Sequence, residues 1–171
     1  SYDADDLIDG YVYNIGFAGG NKGYLQGKTG SLFGMPYGSE TSVLGYRKDI
    51  FEKHGLSVPE TYAEMLDIAC KIPQLEPGMG GLSSRAASGH HAAHAFLLHL
   101  APLGGRIFDD AWNPIVNNEA GVQAANALKQ IVDCGPEGAA SFGFGEALGS
   151  FLNGDTAMFL DTTVVAGQID D

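Results

Sequence analysis

The chain has 171 residues, the size of one domain, and its 9 basic against 21 acidic residues give a formal net charge of −12. Apolar residues make up 44% and charged residues 18%, a balance typical of a folded globular protein and not of a disordered one. The acidic excess disfavours nucleic acids and anionic membrane surfaces as partners, because both carry many negative charges themselves.

The first 35 residues show no sustained hydrophobic period and are rich in glycine, tyrosine, asparagine and aspartate. An independent domain rarely begins with so long a stretch without helices or strands, so we expect this segment to belong to something larger. From Ser42 the pattern sharpens. Residues 42–47 predict a strand, and the next residues predict a short helix that ends at Gly55.

The remaining elements alternate along the chain. Thr61 and Glu64 form a capping box, which predicts the start of an amphipathic helix. Downstream we predict a buried strand over 79–84, helices over 89–103, 118–134 and 144–152, a final strand over 157–160 and a further helix from Val164. Helices alternating with strands predict an α/β fold, with a mostly parallel sheet flanked by helices on both faces.

The two cysteines, Cys70 and Cys134, are too few for a disulfide-rich scaffold, and their spacing matches no cysteine-based metal motif. A single disulfide in an oxidising compartment and two buried thiols both agree with the sequence.

Polar residues follow two of the predicted strands. Arg85 comes directly after the strand over 79–84, and Asp161 and Thr163 end the last strand. Ligands of open α/β sheets bind beyond the carboxyl ends of the strands, so these residues are candidate ligand contacts. Tyr37, Glu40 and Thr41 lead into the first strand, where Tyr37 could stack on a sugar face. A surface salt bridge, a helix cap and strand-edge packing are the alternative roles.

Histidines open the helix over 89–103. His90 and His94 are four residues apart and could bind zinc from one helix face, with Asp109 or Asp110 completing the site. The zinc-protease pattern needs glutamate at position 91, which is His91, so the general base is missing. His90 and His91 could instead contact a neutral ligand in a cleft, or be structural.

Several segments, in order, resemble the extracellular solute-binding proteins of ABC sugar importers, the family that includes maltose-binding proteins. These segments are residues 32–41 (LFGMPYGSET), 46–52 (YRKDIFE), 58–65 (VPETYAEM), 154–158 (GDTAM) and 161–167 (DTTVVAG). The last segment is similar to the sugar-alcohol branch of that family.

The resemblance implies a two-lobed clamp that closes on its ligand. It implies that residues 1–41 are a remnant of the first lobe and hinge, that residues 42–160 are the second lobe, and that residues 161–171 are the return hinge. A lone lobe supplies one wall of the site, so we expect it to bind sugars only in the millimolar range.

By position, the resemblance implies ligand contacts at Glu40, Arg85, Asp161 and Thr163. The residues themselves add Tyr37, Thr41, His90 and His91 as predicted contacts, although the His90-His91 pair departs from the family pattern. The implied function is binding of a small sugar or sugar alcohol, without catalysis or cofactor, for delivery to a membrane permease from the periplasm or the cell exterior. The alternative is a zinc-dependent hydrolase or metal-binding protein that uses His90, His91 and His94. We also expect Arg85→Ala to weaken binding by about 1.5–3 kcal/mol and to leave the fold intact, since a loop arginine carries little packing.

Overall fold

Strands and helices alternate along the chain in the computed structural model, which describes residues 41–168. The strands are β1 (Ser42–Tyr46), β2 (Gly80–Ser83) and β3 (Thr156–Thr162), and the α-helices are α1 (Lys48–His54), α2 (Tyr62–Leu75), α3 (His90–Leu100), α4 (Glu119–Asp133) and α5 (Phe144–Leu152). Short 3₁₀ helices cover Ala139–Ser141 and Thr163–Gly167. The predicted elements are therefore present, and the helix expected from Val164 is a 3₁₀ helix. No helix among the described residues has the length and hydropathy needed to cross a bilayer.

Local sequence signals fix the helix ends. The Thr61 hydroxyl accepts a hydrogen bond from the Glu64 backbone N–H at 3.2 Å, and the Glu64 carboxylate accepts one from the Thr61 N–H at 3.3 Å. This capping box satisfies two backbone donors at the start of α2. Gly55 ends α1 in the left-handed region, with φ of 62°, where residues with a Cβ are strained.

The three described strands form one sheet in the order β1-β3-β2. β3 runs parallel to β2 and antiparallel to β1. The predicted α/β class is confirmed, but in the described part the sheet is mixed, with one parallel and one antiparallel pairing. An antiparallel edge strand on an otherwise parallel sheet is common in α/β folds.

Helices cover both faces of the sheet. One apolar cluster joins α1, α2, α3 and α4 to the sheet and includes the fully buried Ile72, Leu82 and Met158. The other joins α5 to the opposite face through Phe151 and Phe159. The approach of α2 to β2 depends on Gly81, because a Cβ there would lie 1.7 Å from the backbone oxygen of Ala69.

Cys70 and Cys134 form a disulfide, with their Cα atoms 4.9 Å apart. Cys70 lies in α2 and Cys134 directly follows α4, so the bond links two helices on the same face of the sheet. The sequence left this pairing open, and the fold decides it by bringing the two helices together.

Residues 1–40 and 169–171 lie outside the described part of the chain. The predicted division into a first-lobe remnant over 1–41, a second lobe over 42–160 and a return hinge over 161–171 therefore stays a prediction.

Candidate functional site

Four of the predicted site residues meet at one edge of the sheet. Because β2 and β3 are parallel, Arg85 and Asp161 both lie at the carboxyl ends of their strands. β1 runs the opposite way, so its start lies at the same edge, where the Thr163 N–H donates to the Thr41 carbonyl at 2.9 Å. The sheet topology thus assembles residues that are far apart in sequence.

Arg85 and Asp161 form a buried two-pronged ion pair. Arg85 Nε donates to Asp161 Oδ2 and Nη2 donates to Oδ1, each at 2.7 Å. The Asp161 side chain is 0% exposed and that of Arg85 is 14% exposed. The expectation that Arg85 carries little packing is therefore wrong, because its side chain is largely buried and compensates the buried charge of Asp161.

Protein donors bind both carboxylate oxygens of Asp161. Its Oδ1 also accepts the Thr162 backbone N–H at 2.8 Å. Its burial argues against direct contact with a ligand in this arrangement. The Asp161 assignment stays a prediction, and in this arrangement the carboxylate reaches a ligand only through Arg85.

Arg85 keeps donors for another acceptor. A guanidinium has five N–H groups, and Asp161 takes the edge formed by Nε and Nη2. The opposite edge, around Nη1, has no hydrogen-bond acceptor among the described residues. Phe144 at the start of α5 supports the guanidinium, whose central carbon lies 4.9 Å from the ring centroid. The sequence pattern does not indicate this role of Phe144 beyond placing an aromatic residue directly after Gly143.

The amino end of α3 lies beside this pair. His90 is exposed and its ring packs against that of His91, with centroids 4.0 Å apart. His91 and Glu146 both press against Gly143, since a Cβ there would lie 3.0 Å from His91 Nε2 and from Glu146 Oε2. The buried His91 Nδ1 has no hydrogen-bond partner in the described part of the chain.

His94 lies next to the ion pair. Its Nε2 is 3.9 Å from Asp161 Oδ1, too far for a hydrogen bond, and has no other partner among residues 41–168. Burial lowers the pKa of His94, and the charge of Arg85 lowers it further. His94 is therefore neutral at pH 7. The sequence pattern indicated only a metal-ligand role for His94.

A second buried histidine lies deeper in the lobe. His99 is 0% exposed and its Nδ1 shares a hydrogen bond with the Tyr62 hydroxyl. Burial lowers the pKa of His99 to about 4 and raises that of Tyr62. Both groups are neutral near pH 7, as a buried pair without counter-charges must be.

The zinc alternative finds no assembled site in the described residues, where no three histidine, cysteine, aspartate or glutamate side chains gather. Asp109 instead closes a turn, accepting the Ala111 and Asn113 backbone N–H groups at 2.9 and 2.8 Å. Its hydrogen bonds with Asn113 lower the pKa of the Asp109 carboxyl. Asp110 lies 3.6 Å from Arg106.

Tyr37 and Glu40 lie outside the described residues, so their assignment stays a prediction. We call the described site residues at this edge of the sheet, together with the amino end of α3, the wall. An open depression of about 470 Å³ lies elsewhere, at the start of α4, and none of the predicted site residues lines it.

The amino-acid sequence of this chain is similar to those of known proteins. The family model described as bacterial extracellular solute-binding protein matches residues 2–171. The mannitol-binding protein of Pseudomonas aeruginosa is 31% identical over 146 residues, which cover 83% of this chain and 34% of that protein. The sn-glycerol-3-phosphate-binding periplasmic protein UgpB of Shigella flexneri is 42% identical over 52 residues, covering 29% of this chain and 12% of that protein.

Solved structures of solute-binding proteins also resemble this chain. An ABC transporter solute-binding protein from Agrobacterium radiobacter K84, in complex with ribitol, superposes with a TM-score of 0.71 at 29% identity, covering 77% of this chain and 34% of that one. An ABC transporter solute-binding protein from Agrobacterium vitis S4, with bound D-mannitol, superposes with a TM-score of 0.65 at 31% identity. The match covers 75% of this chain and 32% of that one.

This chain spans about a third of the length of the mannitol-binding protein and of the two solved structures. The likeness confirms the predicted fold of a periplasmic-binding-protein lobe. Because the family model matches nearly the whole sequence, the chain belongs to the bacterial extracellular solute-binding protein family.

Proposed function

We propose that this chain is the ligand-binding lobe of an ABC-importer solute-binding protein for a small sugar or sugar alcohol, and that it acts without catalysis. The observation that carries the proposal is the Arg85–Asp161 pair at the ligand edge of the sheet, where one edge of the guanidinium has no acceptor within residues 41–168. Relatives with bound ribitol and D-mannitol support the ligand class.

The chemistry of the wall suits hydroxyl groups. A polyol loses water on binding and must regain hydrogen bonds. Arg85 supplies donors, and His90, His91 and Thr163 are the further predicted contacts from this lobe, with Thr41 at the hinge. Tyr37 and Glu40 would contribute from the segment before β1.

The rest of the assembly follows from the same proposal. The first lobe would close over the ligand from the opposite side, and a membrane permease would receive the ligand. Residues 1–41 would be a remnant of that first lobe and of the hinge, and residues 161–171 would be the return hinge. The Cys70–Cys134 disulfide supports a periplasmic or extracellular location, because such bonds persist in oxidising compartments.

The test is an NMR titration of the 171-residue chain with ribitol and D-mannitol, following the Arg85 side-chain Nε–H and the amides at the start of α3. One wall forfeits about four or five hydrogen bonds of roughly 1 kcal/mol each, which turns a micromolar affinity into a millimolar one. We therefore expect saturable millimolar shifts at Arg85.

Glycine betaine, an osmolyte without hydroxyls, is the ligand control. Arg85→Lys, which keeps the charge but loses the planar fork, should abolish the ligand-induced shifts of the amides at the start of α3, which are present in both proteins. Arg47→Lys alters a similar but exposed fork and should not. Absence of polyol-specific shifts in the unmodified chain would refute the proposal.

A further inference from the structure

The positive charge of Arg85 is cancelled within the wall itself. Asp161 receives both prongs of the guanidinium and is 0% exposed, so no solvent screens this carboxylate from its partner. A ligand that meets Arg85 therefore meets N–H donors on a pair whose net charge is zero.

Among the described residues, the contacts at this wall bring no second arginine or lysine to Arg85. Glu146, an exposed carboxylate, accepts the Gly143 N–H at the start of α5 and lies beside His91. His94, beside the pair, is neutral at pH 7 because burial and Arg85 lower its pKa. The fixed charges of the pair itself are one positive, Arg85, and one negative, Asp161, and the exposed Glu146 lies beside His91.

We infer that this wall selects uncharged polyhydroxylated ligands against phosphorylated ones, and that Asp161 sets this selectivity as a positioning residue that acts through Arg85. The inference rests on the proposed function and narrows its ligand class. It assigns Asp161 a role in choosing the ligand without touching it.

The geometry of the guanidinium supports this role. Asp161 occupies the edge formed by Nε and Nη2 and so fixes the plane of the fork. The remaining edge of the guanidinium can donate hydrogen bonds to uncharged acceptors, such as the oxygens of hydroxyl groups. A phosphate would be desolvated on binding and would gain little net attraction, because the nearby carboxylate repels it.

The partial positive charge at the amino end of α3 attracts a phosphate, but this attraction is too weak to reverse the preference for uncharged ligands. A helix amino end carries about half an elementary charge, whereas a phosphate monoester carries about −1.5 to −2 near pH 7.

The experiment compares D-mannitol with mannitol 1-phosphate on the unmodified chain by NMR titration at constant ionic strength. The two ligands share the same carbon chain and differ by one phosphate. We expect D-mannitol to shift the Arg85 Nε–H at millimolar concentration, and mannitol 1-phosphate to bind at least about ten-fold more weakly.

The outcomes separate the inference from the proposed function. Equal or tighter binding of mannitol 1-phosphate overturns the inference, and where D-mannitol also binds, the proposed function stands. Silence toward both ligands overturns the proposed function and the inference with it.

Asp161→Asn tests the positioning role. Asparagine keeps the shape and an acceptor for Arg85 but removes the charge, so the preference for D-mannitol over mannitol 1-phosphate should fall by about ten-fold or more, the weight of one hydrogen bond to a charged group. A purely structural role would weaken both ligands equally and leave their ratio unchanged, which would refute the assignment.

Asp49→Asn is the matched control, because it makes the same change in net charge beside the exposed Arg47. It should leave the ratio unchanged, and an equal effect there would overturn the inference. If Asp161→Asn does not fold, the comparison of the two ligands on the unmodified chain decides the question alone.

Discussion

Replacing Arg85 by alanine should lower the free energy of unfolding by about 3–5 kcal/mol, because it leaves the Asp161 carboxylate buried and uncompensated. The structure gives a consistent magnitude. Two charged hydrogen bonds of 2.7 Å are lost, and each contributes about 1.5–3 kcal/mol. One bond to Asp161, from the Thr162 N–H, remains.

Thermal melts followed by circular dichroism measure this effect. For a chain of this length a change of 1 kcal/mol shifts Tm by about 2–4 °C, so the expected loss is about 6–20 °C. Arg47→Ala is the matched control, since Arg47 makes a similar two-pronged pair with Asp49 on the exposed surface. Exposed pairs contribute little to stability, so this variant should melt close to the unmodified chain.

The double variant Arg85→Ala/Asp161→Asn separates lost charge compensation from lost packing. Removing both charges abolishes the buried unpaired carboxylate, so the double variant should recover much of the stability that Arg85→Ala loses. The reasoning is refuted if Arg85→Ala melts within 2 °C of the unmodified chain, roughly the shift of a 1 kcal/mol change, or if the double variant is less stable than the single one.

Three further changes test the fold. Burial lowers the pKa of His99 from 6.5 to about 4, so on acidification the unfolded chain binds this proton before the folded chain does. The free energy of unfolding should therefore be highest above pH 6.5 and should fall by about 2 kcal/mol between pH 7 and pH 5. Urea unfolding at the two pH values measures the loss, which His99→Asn should reduce. Reduction of the Cys70–Cys134 disulfide, which closes a 64-residue separation, should lower stability by about 2–4 kcal/mol in urea melts. Gly81→Ala should prevent native packing of α2 on β2, seen as loss of the cooperative melt, because its Cβ would meet a backbone oxygen at 1.7 Å.

Each change has its own control. His90→Asn replaces an exposed histidine of the same helix and should leave the acid loss in place. A chain with both cysteines replaced by alanine should be insensitive to reductant, and equal sensitivity there would contradict the disulfide prediction. Gly149→Ala lies inside α5 with nothing within 4 Å of the added Cβ and should stabilise the helix by about 1 kcal/mol; a cooperative native melt of Gly81→Ala would contradict the packing argument.

Much of the local structure could be predicted because its causes are local. The capping box at Thr61, the asparagine cap at Asn118 and the glycine stop at Gly55 each act within a few residues, and the structure places all three at helix ends. Hydrophobic period and turn chemistry were sufficient to predict the helices and strands from residue 42 onwards.

The direction of β1 could not be read in this way. A strand pattern carries no information on which neighbour it pairs with, and β1 pairs antiparallel with β3, more than 100 residues away, which makes the described sheet mixed. The cysteine pairing was open for the same reason, since it depends on how α2 and α4 pack.

The sequence by itself determined that Arg85 and Asp161 each end a strand at the ligand edge, because strand ends are local features. Only the tertiary structure decided that the two side chains bind each other, that Asp161 is wholly buried, and that Phe144 supports the guanidinium. Residues 76 positions apart meet because parallel pairing brings Ser83 level with Phe159, two residues before each member of the pair. That register arises from long-range packing of the helices on the sheet, which no local pattern encodes.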